Sequence, residues 1–364
     1  MTKRENFLSA LKCGSVDQMP FVFTVDGFNV PVGVPEEMLN PFDMVKIDRW
    51  LGSYAHDRLG PSPITKTARE VTLEATTLEN GDMVHEYTTP VGKLKARYRP
   101  STEANTSFLV GHCITEVKDY ETLMALVTDP VIDTCQEGAD AAQARIDFIG
   151  DDGIMYNCGP STPIMDLSRV WCGLERFIMD LMDHPDLVEK TMDVMAEKAY
   201  EEYELLAAST PAKAIVYWDD VTTAYISPEM FRKYVLPVYR NMADICHAHD
   251  KILVTHACGH LRDFLPIFPE TGIDAIDWVA PPDTGDVIFA DAQRIFDGKI
   301  CIMGTMVPAV LRFGTSDEVE AHIHELLDGV DIHKGFIFQV PPPIGTPMEN
   351  VERVSKVVKD IYWR

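Results

Sequence analysis

The sequence is poor in positive charge, and this shortage limits its possible partners. Its 364 residues include 32 lysines and arginines against 57 aspartates and glutamates, a formal net charge of -25 at pH 7. Nucleic acids and anionic membrane surfaces attract proteins through clustered basic side chains, and no such cluster offsets the acidic background. We therefore expect neither nucleic acid nor membrane among the partners.

Several other features are missing. The sequence contains no run of 18 apolar residues, the length needed to cross a bilayer. The first residues predict an amphipathic helix instead of an apolar secretory segment. The eight cysteines lack the spacing of a disulfide framework, which indicates reduced thiols. No glycine-rich dinucleotide or phosphate loop follows an apolar run. The expectation is a cytoplasmic protein without a nucleotide-binding motif.

From about residue 150 onward, short apolar runs alternate with longer amphipathic segments. This alternation is typical of βα units around a parallel sheet, and it favours the α/β class with a (β/α)8 TIM barrel over a doubly wound sheet. The predicted barrel strands are Phe21–Val25, Ile154–Cys158, Ala214–Asp219, Ile252–His256, Ala275–Val279, Ile300–Gly304 and Phe336–Val340. We place the missing eighth strand within Ser107–Cys113.

Residues 1–364 are expected to form a single barrel domain with two additions outside the barrel. Residues 1–20 predict an N-terminal helical extension. Residues 80–115 predict a β-hairpin insertion, because two alternating runs between Met83 and Arg99 flank a turn at Thr89–Gly92. We expect this hairpin to lie over one mouth of the barrel.

The stretch from Val254 to His260 is the most informative in the chain. An apolar run leads to His256 and Cys258, and alternate residues of a strand share one face, so both side chains can reach one zinc-sized ion. Two ligands are fewer than a protein zinc site needs. A buried cysteine beside a hydrogen-bonded histidine is the structural alternative, and the sequence leaves both open.

Active sites of TIM barrels lie at the carboxyl ends of the strands. Asp219 and Asp220 follow one predicted strand, and since adjacent residues point to opposite faces, only one can enter the mouth. The candidate catalytic residues are Asp219, Asp220 and His256. Candidate substrate-binding residues near the strand ends are Asp26, Phe28, Asn29, Asn157, Trp218, Met306 and Gln339. For the amides, hydrogen bonding to loop backbone is an equal alternative, and methionines more often fill a barrel than line a binding pocket.

Five segments together resemble the uroporphyrinogen decarboxylase superfamily in order and spacing. They are Thr2–Leu11, Asp17–Pro20, Ser227–Pro237, His256–Gly259 and Thr346–Asn350. The likeness extends over nearly the full length of the chain. It implies a (β/α)8 barrel and one of two activities, that of a true decarboxylase or that of a corrinoid-linked methyltransferase.

Two departures from the family pattern discriminate between these activities. The decarboxylases carry an arginine-rich segment after the first strand, whereas this chain has the acidic, arginine-free loop Asp26–Pro31, which suits a polycarboxylate badly. The thiol-alkylating methyltransferases are similar at His256 and Cys258, but they place a third zinc ligand, a cysteine, where Val340 stands here. The resemblance is closest to the methyltransferases of anaerobic O-demethylase systems.

The hypothesis that follows is a methyltransferase that moves a methyl group from a small methylated substrate, an aryl methyl ether in our prediction, to the cobalt(I) of a corrinoid protein. The implied cofactors are zinc on His256 and Cys258 and a corrinoid that the partner supplies, because the chain has no Asp-x-His-x-x-Gly motif. A homodimer is compatible with the sequence.

Three alternatives stay open at this point. A methylcobamide:thiol methyltransferase would need another third ligand, and the nearest thiol, Cys301, is expected to lie too deep in its strand. A uroporphyrinogen decarboxylase-like enzyme is the second alternative. The third is a non-catalytic scaffold, for which a rim of apolar residues is expected instead of the polar set found here.

Overall fold

The computed structural model describes residues 1–26, 29–40, 42–101 and 106–362. The chain divides into two compact units. The first contains residues 1–62, 137–158 and 210 onward, and the second contains residues 63–136 and 159–209. Among the helices described, none combines the length and the apolar character needed to cross a bilayer.

The described ranges contain strands in three sheets. The strands are β1 (Phe21–Phe23), β2 (Ala55–Asp57), β3 (Ile64–Thr67), β4 (Thr72–Thr77), β5 (Met83–Thr89), β6 (Gly92–Ser101), β7 (Thr106–Gly111), β8 (Val131–Thr134), β9 (Gly153–Cys158), β10 (Ala214–Trp218), β11 (Ile252–His256), β12 (Ala275–Val279), β13 (Cys301–Thr305) and β14 (Phe336–Val340).

Helices or helical turns lie between consecutive strands of the eight-stranded sheet. The α-helices are α1 (Lys3–Leu11), α2 (Glu36–Leu39), α3 (Met44–Leu51), α4 (Asp119–Thr128), α5 (Gln136–Ile149), α6 (Pro163–Asp166), α7 (Leu174–Asp183), α8 (Pro185–Ser209), α9 (Pro228–Met230), α10 (Leu236–Ala248), α11 (Phe289–Phe296), α12 (Pro308–Phe313), α13 (Ser316–Leu326) and α14 (Met348–Tyr362). The π-helical turns are Leu167–Trp171 and Phe231–Val235, and the 3-10 turns are Gly150–Asp152, Arg262–Phe264 and Phe268–Glu270.

The first unit is built on a sheet of eight parallel strands in the order β1-β14-β13-β12-β11-β10-β9-β2. The backbone N–H of Tyr54 donates a hydrogen bond of 3.0 Å to the carbonyl of Phe21, which links the two ends of this order and nearly closes the sheet. Chain order and spatial order agree around the ring. The predicted (β/α)8 barrel is therefore confirmed.

The placement of the eighth barrel strand within Ser107–Cys113 was wrong. The missing strand is β2, and most of the predicted stretch belongs to β7 in another sheet. β2 has three residues, and the inward positions of this segment carry the polar side chains of His56 and Arg58, so no apolar run marks it.

Helix α1 packs against β9 and β14 of the barrel. The Thr2 hydroxyl accepts a hydrogen bond from the Glu5 backbone N–H and the Glu5 carboxylate accepts one from the Thr2 backbone N–H, a capping box that starts the helix. The Phe7 ring is fully buried and stacks on the His56 ring with centroids 5.6 Å apart. The helix of the predicted N-terminal extension thus packs on the barrel strands and on a polar residue of β2.

The second unit contains an antiparallel sheet in the order β4-β5-β6-β7 and the antiparallel pair β3-β8. β5 and β6 form the predicted hairpin, with Thr89 paired to Gly92 across the turn. Two further strands flank this hairpin, so the sheet is larger than the sequence pattern indicated. Helices α4, α6, α7 and α8 complete this unit.

Candidate metal centre

Three side chains that can bind a metal ion meet at the carboxyl ends of β10 and β11. Their ligand atoms, on Asp220, His256 and Cys258, all lie within 4.8 Å of one another. Asp220 Oδ1 is 3.2 Å from His256 Nε2 and 3.2 Å from Cys258 Sγ. One oxygen, one nitrogen and one sulfur form a donor set that suits a zinc-class ion.

The two adjacent aspartates have different environments. Asp219 is fully buried, and its carboxylate accepts a 2.7 Å hydrogen bond from the Tyr239 hydroxyl of α10. Asp220 has a left-handed backbone with φ of 50°, uncommon outside glycine, and its carboxylate meets His256. Of the two carboxylates, that of Asp220 belongs to the candidate centre, and that of Asp219 lies between the barrel and its helices.

Asp277 in β12 orients the imidazole of His256. Its Oδ2 lies 2.8 Å from His256 Nδ1, a contact that directs Nε2 toward Asp220 and Cys258. Asp277 Oδ1 accepts a 2.6 Å hydrogen bond from Gln339, and Oδ2 accepts one of 2.9 Å from the Arg58 guanidinium. A carboxylate behind a ligand histidine is a frequent support in metal sites, because it fixes the tautomer and the ring orientation.

These contacts also determine the protonation of His256 and Asp277. Burial lowers the pKa of His256, but hydrogen bonds to Asp220 and Asp277 outweigh burial and raise it to about 10. Burial likewise opposes the charge of Asp277, yet Arg58 and His256 hold the pKa of this carboxyl well below its usual range. Asp277 therefore stays ionised, and a metal ion at Nε2 has to compete with a proton for His256.

Two tryptophans border the centre. The Arg58 guanidinium lies 4.2 Å from the ring centroid of Trp218 and 5.7 Å from that of Trp278. The His256 ring lies 5.1 and 5.8 Å from the same two indoles, both of which are half-buried. Within the described residues, Arg58 Nε is buried without a hydrogen-bond partner. The centre thus combines donor atoms with flat aromatic surfaces.

Trp278 reaches the site because β12 is irregular. The pairing of β12 with β13 shifts register between Asp277 and Val279, and Trp278 has a φ of 71°. Such a bulge adds one residue to the strand and breaks the alternation of faces. As a result, the consecutive residues Asp277 and Trp278 both contact His256.

Asn157 holds a neighbouring loop. Its amide nitrogen donates to the carbonyls of Gly60 at 3.2 Å and Pro61 at 2.7 Å, and its oxygen accepts from Thr210. These bonds fix the loop that follows β2 and therefore the segment that carries Arg58.

The other predicted substrate-binding residues have varied surroundings. Asn29 Nδ2 lies 3.0 Å from each carboxylate oxygen of Asp26, so these two side chains bind each other within one loop. Met306 is fully buried, and its backbone N–H donates to the carbonyl of Gln339. Phe28 lies outside the described residues. Substrate binding by this group stays a prediction.

Sequence reasoning did not identify Arg58, Asp277 or Trp278 as part of the site. A signal existed for Asp277, which is a lone acidic residue in the apolar run Ala275–Val279. Arg58 was hidden because β2 was not recognised. The deep position expected for Cys301 is confirmed, since this thiol is fully buried at the start of β13.

Replacing Asp277 by asparagine is expected to weaken metal binding by about 10- to 100-fold, because the amide no longer attracts the Nδ1 proton of His256 as a carboxylate does. Competition with a chromophoric chelator measures this change. Asp291→Asn, at a half-exposed surface ion pair with Arg294, is the matched control. Equal zinc affinity in both variants would show that Asp277 does not support the ligand.

Comparisons with known proteins agree with this architecture. Residues 158–361 match the family Uroporphyrinogen decarboxylase (URO-D). The "Methylcobamide:CoM methyltransferase MtbA" of Methanosarcina mazei is 35% identical over 121 residues, which cover 31% of this chain and 33% of that protein. The "Methylated-thiol--coenzyme M methyltransferase" of the same organism is 28% identical over 141 residues, or 38% of this chain and 35% of that protein.

The chain thus spans about a third of the length of the curated relatives that it matches, 33% and 35% respectively. A solved structure described as a methyltransferase from Methanosarcina mazei has a TM-score of 0.63 at 16% sequence identity. The superposition covers 100% of this chain and 99% of that one. This likeness shows that the two chains share a fold.

Proposed function

Because the chain belongs to the uroporphyrinogen decarboxylase family, we propose that it is a methyltransferase that moves a methyl group from a small methylated substrate to the cobalt(I) of a separate corrinoid protein. The observation that carries this proposal is the convergence of Asp220, His256 and Cys258 at the barrel mouth. A decarboxylase of polycarboxylates would instead need free cationic groups, whereas Arg58 is bound to Asp277.

Asp220, the proposed third ligand, favours methyl transfer from the substrate to cobalt(I). Asp220 offers a carboxylate oxygen, while the resemblance implies a second cysteine in the thiol-alkylating members. A carboxylate is a harder and less electron-donating ligand than a thiolate. A zinc ion on these side chains would supply Lewis acidity toward a departing oxygen or nitrogen atom. Asp277 and Gln339 would keep the imidazole of His256 in place during turnover.

An aryl methyl ether is the substrate class that the surroundings favour. The half-buried indoles of Trp218 and Trp278 lie beside His256 and offer apolar surfaces on which an aromatic ring can stack. Arg58 lies against the same indoles and forms an ion pair with Asp277. The apolar indole surfaces therefore lie next to two charges that neutralise each other. A neutral methoxylated ring fits this environment better than a polyanion.

The rim of the barrel supports docking of a protein partner. Large apolar side chains, each more than a third exposed, follow six of the barrel strands, and loops after parallel barrel strands lie on one rim. They are Val32, Leu59, Tyr225, Ile288, Phe313 and Ile344. Apolar surface around a polar centre is typical of a site that another protein covers. We propose that the corrinoid protein is this partner.

The test of this function is a three-component assay. We expect a methoxylated phenol to remove the cobalt(I) absorption band of a reduced corrinoid protein only when the chain, the corrinoid protein and the phenol ether are all present. Uroporphyrinogen serves as the comparison substrate and should give no coproporphyrinogen. Decarboxylation above background, or an unchanged cobalt(I) band with methylated phenols, amines and betaines, would overturn the proposal.

A methylcobamide:thiol methyltransferase is the second candidate, and the names of the two relatives favour it. In this reaction the thiol sulfur would enter the centre as an additional ligand. X-ray absorption at the zinc edge with added thiol, together with demethylation of a methylated corrinoid protein, distinguishes the candidates. A new sulfur scatterer with thiol methylation, and no reaction of phenol ethers, would replace the first candidate by the second.

A further inference from the structure

The second unit contains a cavity of about 250 Å³ whose lining residues include none of the candidate metal ligands. Its walls come from β3, β5, β8, α4, α6, α8 and the turns next to α6, all of them within the second unit. A volume of this size suits a small organic molecule and is below the range of most drug-sized ligands.

Two aromatic rings form part of the wall. Tyr87 of β5 and Trp171 have ring centroids 6.2 Å apart and planes inclined by 63°. Both side chains are half-buried, so each ring keeps some surface accessible. Inclined aromatic faces beside a carboxylate are the surroundings in which proteins hold organic ammonium groups, because the ring faces carry negative potential.

The carboxylate in this cavity is Glu202 of α8. Glu202 is only 9% exposed, and its Oε2 lies 2.7 Å from Lys66 Nζ. The Lys66 side chain is 52% exposed, so water can solvate its ammonium group if it leaves Glu202. Without Lys66, the buried Glu202 carboxylate would be an unpaired charge, which is unfavourable unless another cation binds it. Lys66 therefore holds a position that a cationic ligand could take.

The remaining charges of the wall agree with a cation. Asp166 adds a second carboxylate, and the ammonium group of Lys198 is already bound by Glu201 at 2.6 Å. The net charge of -25 also raises the local concentration of cations around the molecule. An anionic ligand would have to displace both lysines from their partners and approach two carboxylates.

We propose that this cavity is a binding site for a small organic cation of the alkylammonium class. The cationic head takes the place of Lys66 Nζ at Glu202, and its alkyl groups contact Tyr87 and Trp171. The cavity shares no lining residue with the candidate metal centre, and the inference does not depend on the proposed methyl transfer.

Calorimetric titration of the full chain with tetramethylammonium chloride tests the site, with sodium benzoate as the anionic comparison. We expect tetramethylammonium to bind, and Lys66→Ala to strengthen binding several-fold, since the internal competitor for Glu202 is removed. Glu202→Gln should weaken it at least tenfold. Glu197→Gln, at an exposed position of the same helix and outside the cavity lining, should leave it unchanged.

The sign of the Lys66→Ala effect decides the ligand class and does not require the Glu202 variant to fold. If Lys66→Ala abolishes binding of benzoate and leaves tetramethylammonium without affinity, the cavity takes anions and the proposal fails. Absence of tetramethylammonium binding in both the unmodified chain and Lys66→Ala would likewise overturn it. A thermal unfolding scan of each variant ensures that the folded protein is compared.

Discussion

Replacing His256 by alanine is expected to reduce the metal content of the purified protein to background and to slow methyl transfer by roughly three orders of magnitude or more, since a ligand that touches the ion counts for more than its supporting partners. Cys258→Ala should have the same two effects, because His256 and Cys258 both approach the carboxylate of Asp220. Elemental analysis and the cobalt(I) assay measure the two effects.

His324→Ala is the matched control for this experiment, because this histidine lies half-exposed on α13. It should keep both metal and activity. Retention of about one zinc per chain by both the His256 and the Cys258 variants would mean that the ion is held elsewhere. The pair would then have the structural role that its sequence pattern left open.

Asp219 and Asp220 are expected to respond to alanine substitution in opposite ways. Asp220→Ala should lose metal and slow methyl transfer by about two orders of magnitude, because its half-buried carboxylate is a proposed ligand. Asp219→Ala should keep its metal but lower the free energy of unfolding by about 1–3 kcal/mol, since the buried Tyr239 hydroxyl loses its acceptor.

Urea denaturation followed by circular dichroism, combined with metal analysis, separates these two outcomes. Each variant is the control for the other, because the substitution is identical and the positions are adjacent. Full activity in both variants would remove the carboxylate from the proposed centre. Metal loss in Asp219→Ala alone would exchange the two roles.

The barrel could be predicted because most of its strands are buried on both faces. Ile252–His256, Ala275–Val279 and Phe336–Val340 are mostly apolar, and the structure gives them the predicted bounds. β2 escaped recognition for a physical reason: a strand of three residues has no measurable period, and this segment directs a histidine and an arginine into the barrel. Polar side chains in the interior thus removed the pattern that usually marks a strand.

The candidate site was predictable to the same limited extent. The i, i+2 spacing of His256 and Cys258 identified two candidate ligands, since strand geometry is local. The choice of Asp220 over Asp219 could not be made from alternation alone, because it depends on a left-handed turn at Asp220. Asp277 approaches His256 from the next strand, and no spacing along the chain encodes that distance.

The irregularity in β12 limits how this centre could be engineered into another protein. A regular strand would direct the side chains of residues 277 and 278 to opposite faces of the barrel, so a graft would gain either the support for His256 or the indole wall, but not both. A designer would have to transplant the extra residue together with its left-handed backbone at Trp278, and accept an unfavourable conformation for a bulky side chain. The graft therefore has to include the bulged backbone of β12, because transplanting the side chains alone would not reproduce the centre.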